Sequence, residues 1–197
     1  IGYRKFKRTI DILVSGIAIV VLFPLFLIIA LIMKITMPGP IFFTHMRLGK
    51  NLNEFKLYKF RSMVTDAEQK KDDLQNEVKG IFKLKEDPRV TKFGKFLRMT
   101  CIDELPQLIN IFKGDMSFVG PRPHLRRELV NFKDWRMMRF SVRPGLTGYW
   151  QVSGRHELNF DKAVLYDIYY IKHMSLLMDL GIIIRTIPAI IFSGGRW

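Results

Sequence analysis

Cysteine is almost absent from this chain. Cys101 stands alone among 197 residues, so no internal disulfide and no cysteine zinc site can form, and a reducing, cytoplasmic setting fits best. Cys101 itself reads as a small buried side chain. Acid is scarce as well: 18 Asp and Glu stand against 32 Lys and Arg, a net charge of +14. That imbalance favours an anionic partner, whether nucleic acid, an anionic membrane surface or a phosphorylated substrate. The four histidines have no metal-ligand spacing, and the chain contains no Walker A loop, no GxGxxG and no GxSxG, which excludes the commonest nucleotide-cradling and serine-hydrolase arrangements. Internal repeats and low-complexity tracts are also missing. The length suits one domain with a substantial core.

Charge is also missing from one long run. From Ile12 to Met33 no residue is ionisable, about 33 Å of helix at 1.5 Å per residue, enough to cross a hydrocarbon core. No small-residue cleavage site follows, so the run is not a removable signal. An ordinary spanning helix is the plain reading. Two features favour a re-entrant helix that dips in and returns. Pro24 removes a backbone hydrogen bond midway and bends the helix. Basic residues flank both ends, with Arg4, Lys5, Lys7 and Arg8 before and Lys34, Arg47 and Lys50 after, which places both ends on the cytoplasmic face. The residues alone leave both topologies open. Asp11 would pair with a neighbouring cation at headgroup level. The apolar run, and the spread of basic residues along the chain, move the anionic partner from nucleic acid toward membrane.

Beyond Pro38-Gly39-Pro40, residues Ile41–Arg47 and Glu54–Phe60 read as two strands joined by a turn over Gly49–Asn53. Val64–Val78 is polar and mixed in charge, as in an exposed helix. A short helix is expected over Thr91–Met99, another from Asp103 to about Phe112 ending before Gly114, and a third over Phe160–His173. Gly120–Pro123 and Arg143–Gly148 read as rigid loops. Ser175–Phe192 is apolar but interrupted by Asp179, Arg185 and Pro188, so a helix in the membrane interface, or packed in the core, is expected there.

The chemistry concentrates between Arg98 and Pro123. Asp103 and Glu104 are adjacent carboxylates. Pro106 is tolerated only in a first helical turn, which puts Asp103 near the N-cap, where free N–H groups favour an ionised carboxylate and a bound anion. Arg98 precedes the pair, and Arg122 follows it, held between Pro121 and Pro123. Carboxylates beside fixed cations suit phosphate chemistry with a divalent metal. A plain helix cap is the alternative for Asp103. Lys59 and Arg61 share a strand face, either as a phosphate-facing pair or as the solvated side of the hairpin. Arg143, before Pro-Gly, reads as an anion contact or a surface residue. Gln151 and Arg155 could contact a base or sugar, or be ordinary turn residues.

At these residues the chain resembles the monotopic polyprenyl-phosphate phosphoglycosyltransferases, the bacterial sugar transferase family. KRTIDIL, IFFTHMRLGK, YKFRSM, DPRVTKFGKFLR, IDELPQLINIFKGDMSFVGPRP, VRPGLTGYWQVSGR and YDIYYIKHMSLLMDL carry the resemblance over nearly the whole chain. It is most similar to the catalytic domain of the undecaprenyl-phosphate hexose-1-phosphate transferases of galactose or glucose type. Larger members place a transmembrane bundle before this domain, so the chain is either a fragment or a minimal member.

The resemblance implies a mixed α/β, mainly helical fold. Residues 1–36 would form a re-entrant anchor bent at Pro24. Residues 37–197 would form a cytoplasmic catalytic domain with a small β-hairpin and interfacial amphipathic helices, the two parts making one unit. Close relatives often have a serine before that proline where this chain has Phe23. The implied reaction carries a sugar-1-phosphate from a UDP-sugar to polyprenyl (undecaprenyl) phosphate. Asp103 would be the nucleophile, Glu104 its helper, and Mg²⁺ would sit on both. Arg98, Arg122, Lys59 and Arg61 would meet phosphate, and Arg143, Gln151 and Arg155 the nucleotide and sugar. The setting would be the bacterial inner membrane, cytoplasmic face, at the first membrane step of O-antigen, capsule or exopolysaccharide synthesis. The expected partners are UDP-sugar, the polyprenyl carrier and membrane lipids, without nucleic acid; homo-oligomerisation stays open. A membrane-tethered, non-catalytic module for anionic lipid or nucleic acid is the competing reading. A third is a phosphotransferase that uses the dyad only to hold metal and passes the group directly between substrates.

Overall fold

The computed structural model describes residues 2–67, 70, 87–132, 134–153 and 160–193. Its first element, α1 (Gly2–Thr36), continues through Pro24. Lys7, Asp11, Ser15, Ile29 and Met33 are buried, and Ala18, Ile19, Leu22, Leu25 and Phe26 pack half-buried between them. Steps of three and four residues keep these side chains on one stripe. The opposite face leaves Val20, Val21, Leu27, Leu31 and Ile35 exposed. Among the described residues, α1 is the one helix long and apolar enough to cross a membrane.

The stripe is fastened to the rest of the chain at both ends. Near the start, the Tyr3 hydroxyl donates to Asp179 at 2.6 Å, and Lys7 pairs with the same carboxylate. Arg8 donates to the carbonyls of Ile111 and Phe112 at 2.6 and 2.8 Å. Burial pushes the Asp11 carboxyl up, outweighing the neighbouring charges of Lys7 and Arg8. It is buried and accepts from the Ser117 hydroxyl and the Phe118 amide. At the far end Met33 and Met37 join Phe60 and Leu97 in one core cluster.

The hairpin pairs β1 (Phe42–Leu48) with β2 (Glu54–Phe60), from Phe42 opposite Phe60 to Leu48 opposite Glu54. The first strand lies one residue later than expected. Of the helix expected over Val64–Val78, Val64 is not helical, Thr65–Ala67 form a turn and the rest, apart from residue 70, lies outside the described residues. Next come α2 (Lys92–Met99) and α3 (Gln107–Lys113), the latter closed by Gly114 at φ 98°. A parallel strand pair joins β3 (Ser117–Val119), just before the first of the loops read as rigid, to β4 (Gly145–Thr147), inside the second. Too few residues separate these strands from their flanking prolines to show a strand pattern. A Cβ on Gly145 would come within 2.1 Å of the Gly120 nitrogen, so the close approach of the two backbones requires glycine there.

After α4 (Tyr149–Val152) the chain ends in α5 (Phe160–His173) and α6 (Leu176–Ser193). Asp179 of α6 is buried, accepting also from the Tyr170 hydroxyl at 2.7 Å. The charge that interrupts the apolar pattern is therefore the knot joining α1, α5 and α6. Leu177, Leu180, Ile184 and Ile187 of α6 remain exposed. The fold is mainly helical, with one hairpin and a long apolar N-terminal helix.

Candidate active site

The position of α2 is set first. The Thr91 side chain caps it by accepting from the Gly94 amide at 2.9 Å. A Cβ on Gly94 would lie 1.9 Å from the Ser62 carbonyl oxygen, so only glycine lets the helix sit this close to the chain leaving β2. Arg98 follows in the last turn, exposed. Cys101 then takes a left-handed conformation at φ 56° and starts a single 3-10 turn over Ile102–Glu104. It is half-buried, not fully buried. Asp103 therefore does not cap α3. That helix begins at Gln107, four residues later than expected, with Pro106 at its N-cap, and the dyad occupies the tight turn before it. The reason is local: Cys101 reverses the chain before any helix can propagate.

The turn presses the dyad against β2. Lys59 donates to Glu104 at 2.5 Å, and the Gln107 side chain bonds the same carboxylate. Asn110 fixes the distance between α3 and β2. It accepts from the Tyr58 amide at 3.0 Å and donates to the Lys56 carbonyl at 2.7 Å.

The two acids differ in state. Burial pushes Asp103 up from its ordinary 3.8 to about 6; Glu104 adds to the rise, while Lys59 and Arg98 pull it back. Burial would also raise Glu104, but the charges of Lys59 and Arg122 and the hydrogen bonds from Lys59 and Gln107 outweigh it and hold that carboxyl below its usual range. Glu104 is thus a fixed anion. Asp103 is an anion at neutral pH with little to neutralise it, and among the described residues no side chain donates a hydrogen bond to it. Such a carboxylate is more basic and more available than an ordinary one.

Arg122 approaches from the opposite loop, half-buried. That loop is pinned by the Leu48 amide on the His124 carbonyl at 2.8 Å and by contacts from Arg47 and Arg139 to the Pro123 and Arg122 carbonyls, both 3.4 Å. Behind it Arg139 pairs with buried Asp167 and donates to His124 Nε2 at 2.6 Å. A guanidinium has no acceptor, so the imidazole accepts there, and its Nδ1 proton faces Glu128 at 2.6 Å. Burial, with Arg139 and Arg122 adding to it, lowers His124 to about 4 against the pull of Glu128, which keeps this arrangement neutral at the ring.

The structure thus gathers Asp103, Glu104, Lys59, Arg98 and Arg122. Two of the other predicted residues bond backbone carbonyls. Arg61 is buried and donates to the carbonyls of Met37 and Pro38 at 2.5 and 2.9 Å, tying the hairpin to the exit of α1. Arg143 donates to the Gly114 carbonyl at 2.7 Å. Gln151 is buried in α4, and Arg155 lies outside the described residues. Sequence reasoning missed Arg47 as a member of this neighbourhood. Burial first, and then the charge of Arg122, pushes its guanidinium down to about 10, while Glu104 pulls the other way. The signal was its place on β1 opposite Phe55, an inward strand position for a cation. Among the described residues no group of three His, Cys, Asp or Glu forms a metal-binding set.

Comparison with known proteins agrees in extent and kind. The family described as bacterial sugar transferase matches residues 2–193. An exopolysaccharide production protein ExoY of Sinorhizobium fredii is 40% identical over 97% of this chain and 88% of its own length. The undecaprenyl-phosphate galactose phosphotransferase of Salmonella typhimurium is 40% identical over 98% of this chain but 42% of its own length. The UDP-glucose:undecaprenyl-phosphate glucose-1-phosphate transferase of Klebsiella pneumoniae is 40% identical over 92% of this chain and 39% of its length.

Proposed function

Because the chain belongs to the bacterial sugar transferase family, we propose that it is a phosphoglycosyltransferase that moves a sugar-1-phosphate from a UDP-sugar to undecaprenyl phosphate in polysaccharide synthesis. The observation that carries the mechanism is the division of the dyad. Glu104 is neutralised by Lys59 and Arg122, and Asp103 is a raised, unpartnered carboxylate beside it. An Asp103 oxygen attacks the β-phosphorus of the UDP-sugar. The bond to the bridging oxygen breaks and UMP leaves with the electron pair, so the sugar phosphate is now an acyl phosphate on Asp103. An oxygen of the lipid phosphate then attacks the same phosphorus, forming polyprenyl-diphosphate-sugar and returning the carboxylate. Arg98, Arg122 and Lys59 hold the phosphate oxygens as charge moves between them. Glu104 orients Lys59 and Arg122 toward that space.

Mg²⁺ fits this donor set. It commonly binds through one or two carboxylates plus substrate phosphates and water, so the lack of a three-ligand cluster among the described residues does not conflict with it. Asp103, with Glu104 beside it, would hold the ion. When bound, it supplies positive charge that offsets the phosphate oxygens.

Residues 1–36 act in this reading as a re-entrant anchor. Both ends of α1 bind the same folded body, Tyr3 and Lys7 on Asp179 and Met37 on the Phe60–Leu97 cluster. A helix crossing about 30 Å of hydrocarbon would put those ends on opposite sides. The exposed apolar faces of α1 and α6 then rest in the inner leaflet of the bacterial inner membrane, with the catalytic body on the cytoplasmic side.

The test is UMP release from a UDP-sugar by purified chain without lipid acceptor, together with mass spectrometry of the Asp103 peptide. A single turnover of UMP with a phosphosugar adduct at Asp103 is expected. Multiple-turnover transfer surviving in Asp103→Asn would remove the covalent step.

A further inference from the structure

A second gathering of cations lies outside the dyad. At the start of α1, Arg4, Lys7 and Arg8 line a shallow concavity of about 60 Å³ with Lys50 and Arg143, and the one acid in its wall is Asp11. No lining residue belongs to the Asp103 cluster, and none of these five cations is among the charges that set the state of Asp103 or Glu104. Val142 lines both this concavity and a smaller crevice of about 10 Å³ beside Arg122.

Acids balance these cations only in part. Asp179 answers Lys7. Arg8 and Arg143 converge on the end of α3. Arg8 bonds the Ile111 and Phe112 carbonyls, and Arg143 bonds the Gly114 carbonyl. Carbonyl oxygens orient a guanidinium but do not cancel its charge. The Asp11 carboxylate, held by the Ser117 hydroxyl and the Phe118 amide, offsets part of the charge of Lys7 and Arg8. Arg4 and Lys50 stand exposed at the rim. Like charges held around one concavity repel, and that arrangement is relieved only by an anion. Two guanidiniums on fixed backbone anchors favour phosphate, whose oxygens accept paired N–H donors.

We propose that this basic concavity at the base of α1 is a second phosphate-binding site, separate from the dyad, for a phosphate group borne either by a membrane lipid or by a soluble anion. It does not depend on the transferase reading. The rim variant Arg4→Gln/Lys50→Gln tests it, because neither side chain makes a hydrogen bond or ion pair among the described residues and the fold should survive. In one arm, calorimetry titrates inorganic pyrophosphate into the full chain in phosphatidylcholine nanodiscs. In the other, nanodisc-free protein is floated with phosphatidylcholine vesicles with or without phosphatidylglycerol. We expect the double variant to bind roughly tenfold more weakly in at least one arm, the loss of two cations at a phosphate surface. Loss in the pyrophosphate arm identifies a soluble anion, and loss of the phosphatidylglycerol preference identifies a lipid headgroup. Lipid-independent UMP release should be unchanged. Equal binding by wild type and variant in both arms would overturn the proposal.

Discussion

Replacing Asp103 by Asn should abolish turnover and, at neutral pH, make the protein more stable. The magnitude follows from burial. Asp103 is 7% exposed, and its carboxyl rises from 3.8 to about 6 in the folded chain. At about 1.4 kcal/mol per pH unit, keeping it ionised in the fold costs about 3 kcal/mol. The sign follows from proton uptake. Between those two values the folded state holds the proton and the unfolded state does not. The stabilisation from the protonated form is therefore complete below pH 3.8 and lost as pH rises through about 6. Asn is neutral at every pH and escapes the loss. For a chain of this length, about 3 kcal/mol corresponds to a Tm increase of about 6–12 °C. Thermal melts in detergent with a chelator should show that gap near about pH 7.5 and its disappearance near about pH 4. Adding Mg²⁺ should stabilise wild type and leave Asp103→Asn nearly unmoved. A variant no more stable than wild type near neutrality, or a gap independent of pH, would refute the claim that Asp103 is held as a costly buried anion.

The same carboxylate predicts the pH profile of lipid-independent UMP release. The rate should fall about tenfold per unit below a limb near 6, because the nucleophile must be ionised. Lys59→Met should cost about 2 kcal/mol of stability and more than tenfold in activity by removing the ion pair that holds Glu104, as read by chemical denaturation and the release assay. Gly94→Ala should destabilise by about 3 kcal/mol, since its Cβ meets backbone rather than a yielding side chain, and thermal melts would detect it. Labelling of cysteines placed at Gly2 and Lys50 in sealed inverted vesicles should reach both from the same side; opposite accessibility would mean a spanning α1.

Periodicity made much of this legible. The hairpin, α2, α5 and α6 fall within a residue or so of their expected bounds because each is a regular pattern ended by a capping or breaking residue, such as Thr91 before α2 and Gly114 after α3. The dyad turn was misplaced because Cys101 adopts a left-handed conformation that its identity does not announce. Strands β3 and β4 are three residues each, below the length at which alternation can be seen. Charged residues were the hardest to place. Lys59 and Arg61 read from spacing as one strand face, yet β2 ends at Phe60, and one reaches Glu104 while the other closes the end of α1. That choice is made by which partner lies across the fold, and spacing carries no information about it.

The charge distribution connects anchor and chemistry. Asp179, on α6, collects Tyr3 and Lys7 from α1 and Tyr170 from α5, so the start of α1 is locked to α5 and α6. The far end of α1 is locked through Met37 and Arg61 to the hairpin that carries Lys59. Ile102, next to Asp103, packs against that same far cluster. If α1 is the membrane anchor proposed above, contiguous packed side chains connect it to the dyad. A lipid phosphate is confined to the headgroup plane, and a nucleophile that must reach it gains from being fixed to the element that sets depth. Breaking the lock at one end tests this directly. Asp179→Asn keeps the side-chain volume and removes the charge that holds buried Lys7, and should cost about 3 kcal/mol. If depth matters, the variant should keep lipid-independent UMP release near wild type while losing transfer to membrane-borne acceptor by tenfold or more. Equal losses in the two assays would mean that the knot only holds the fold together.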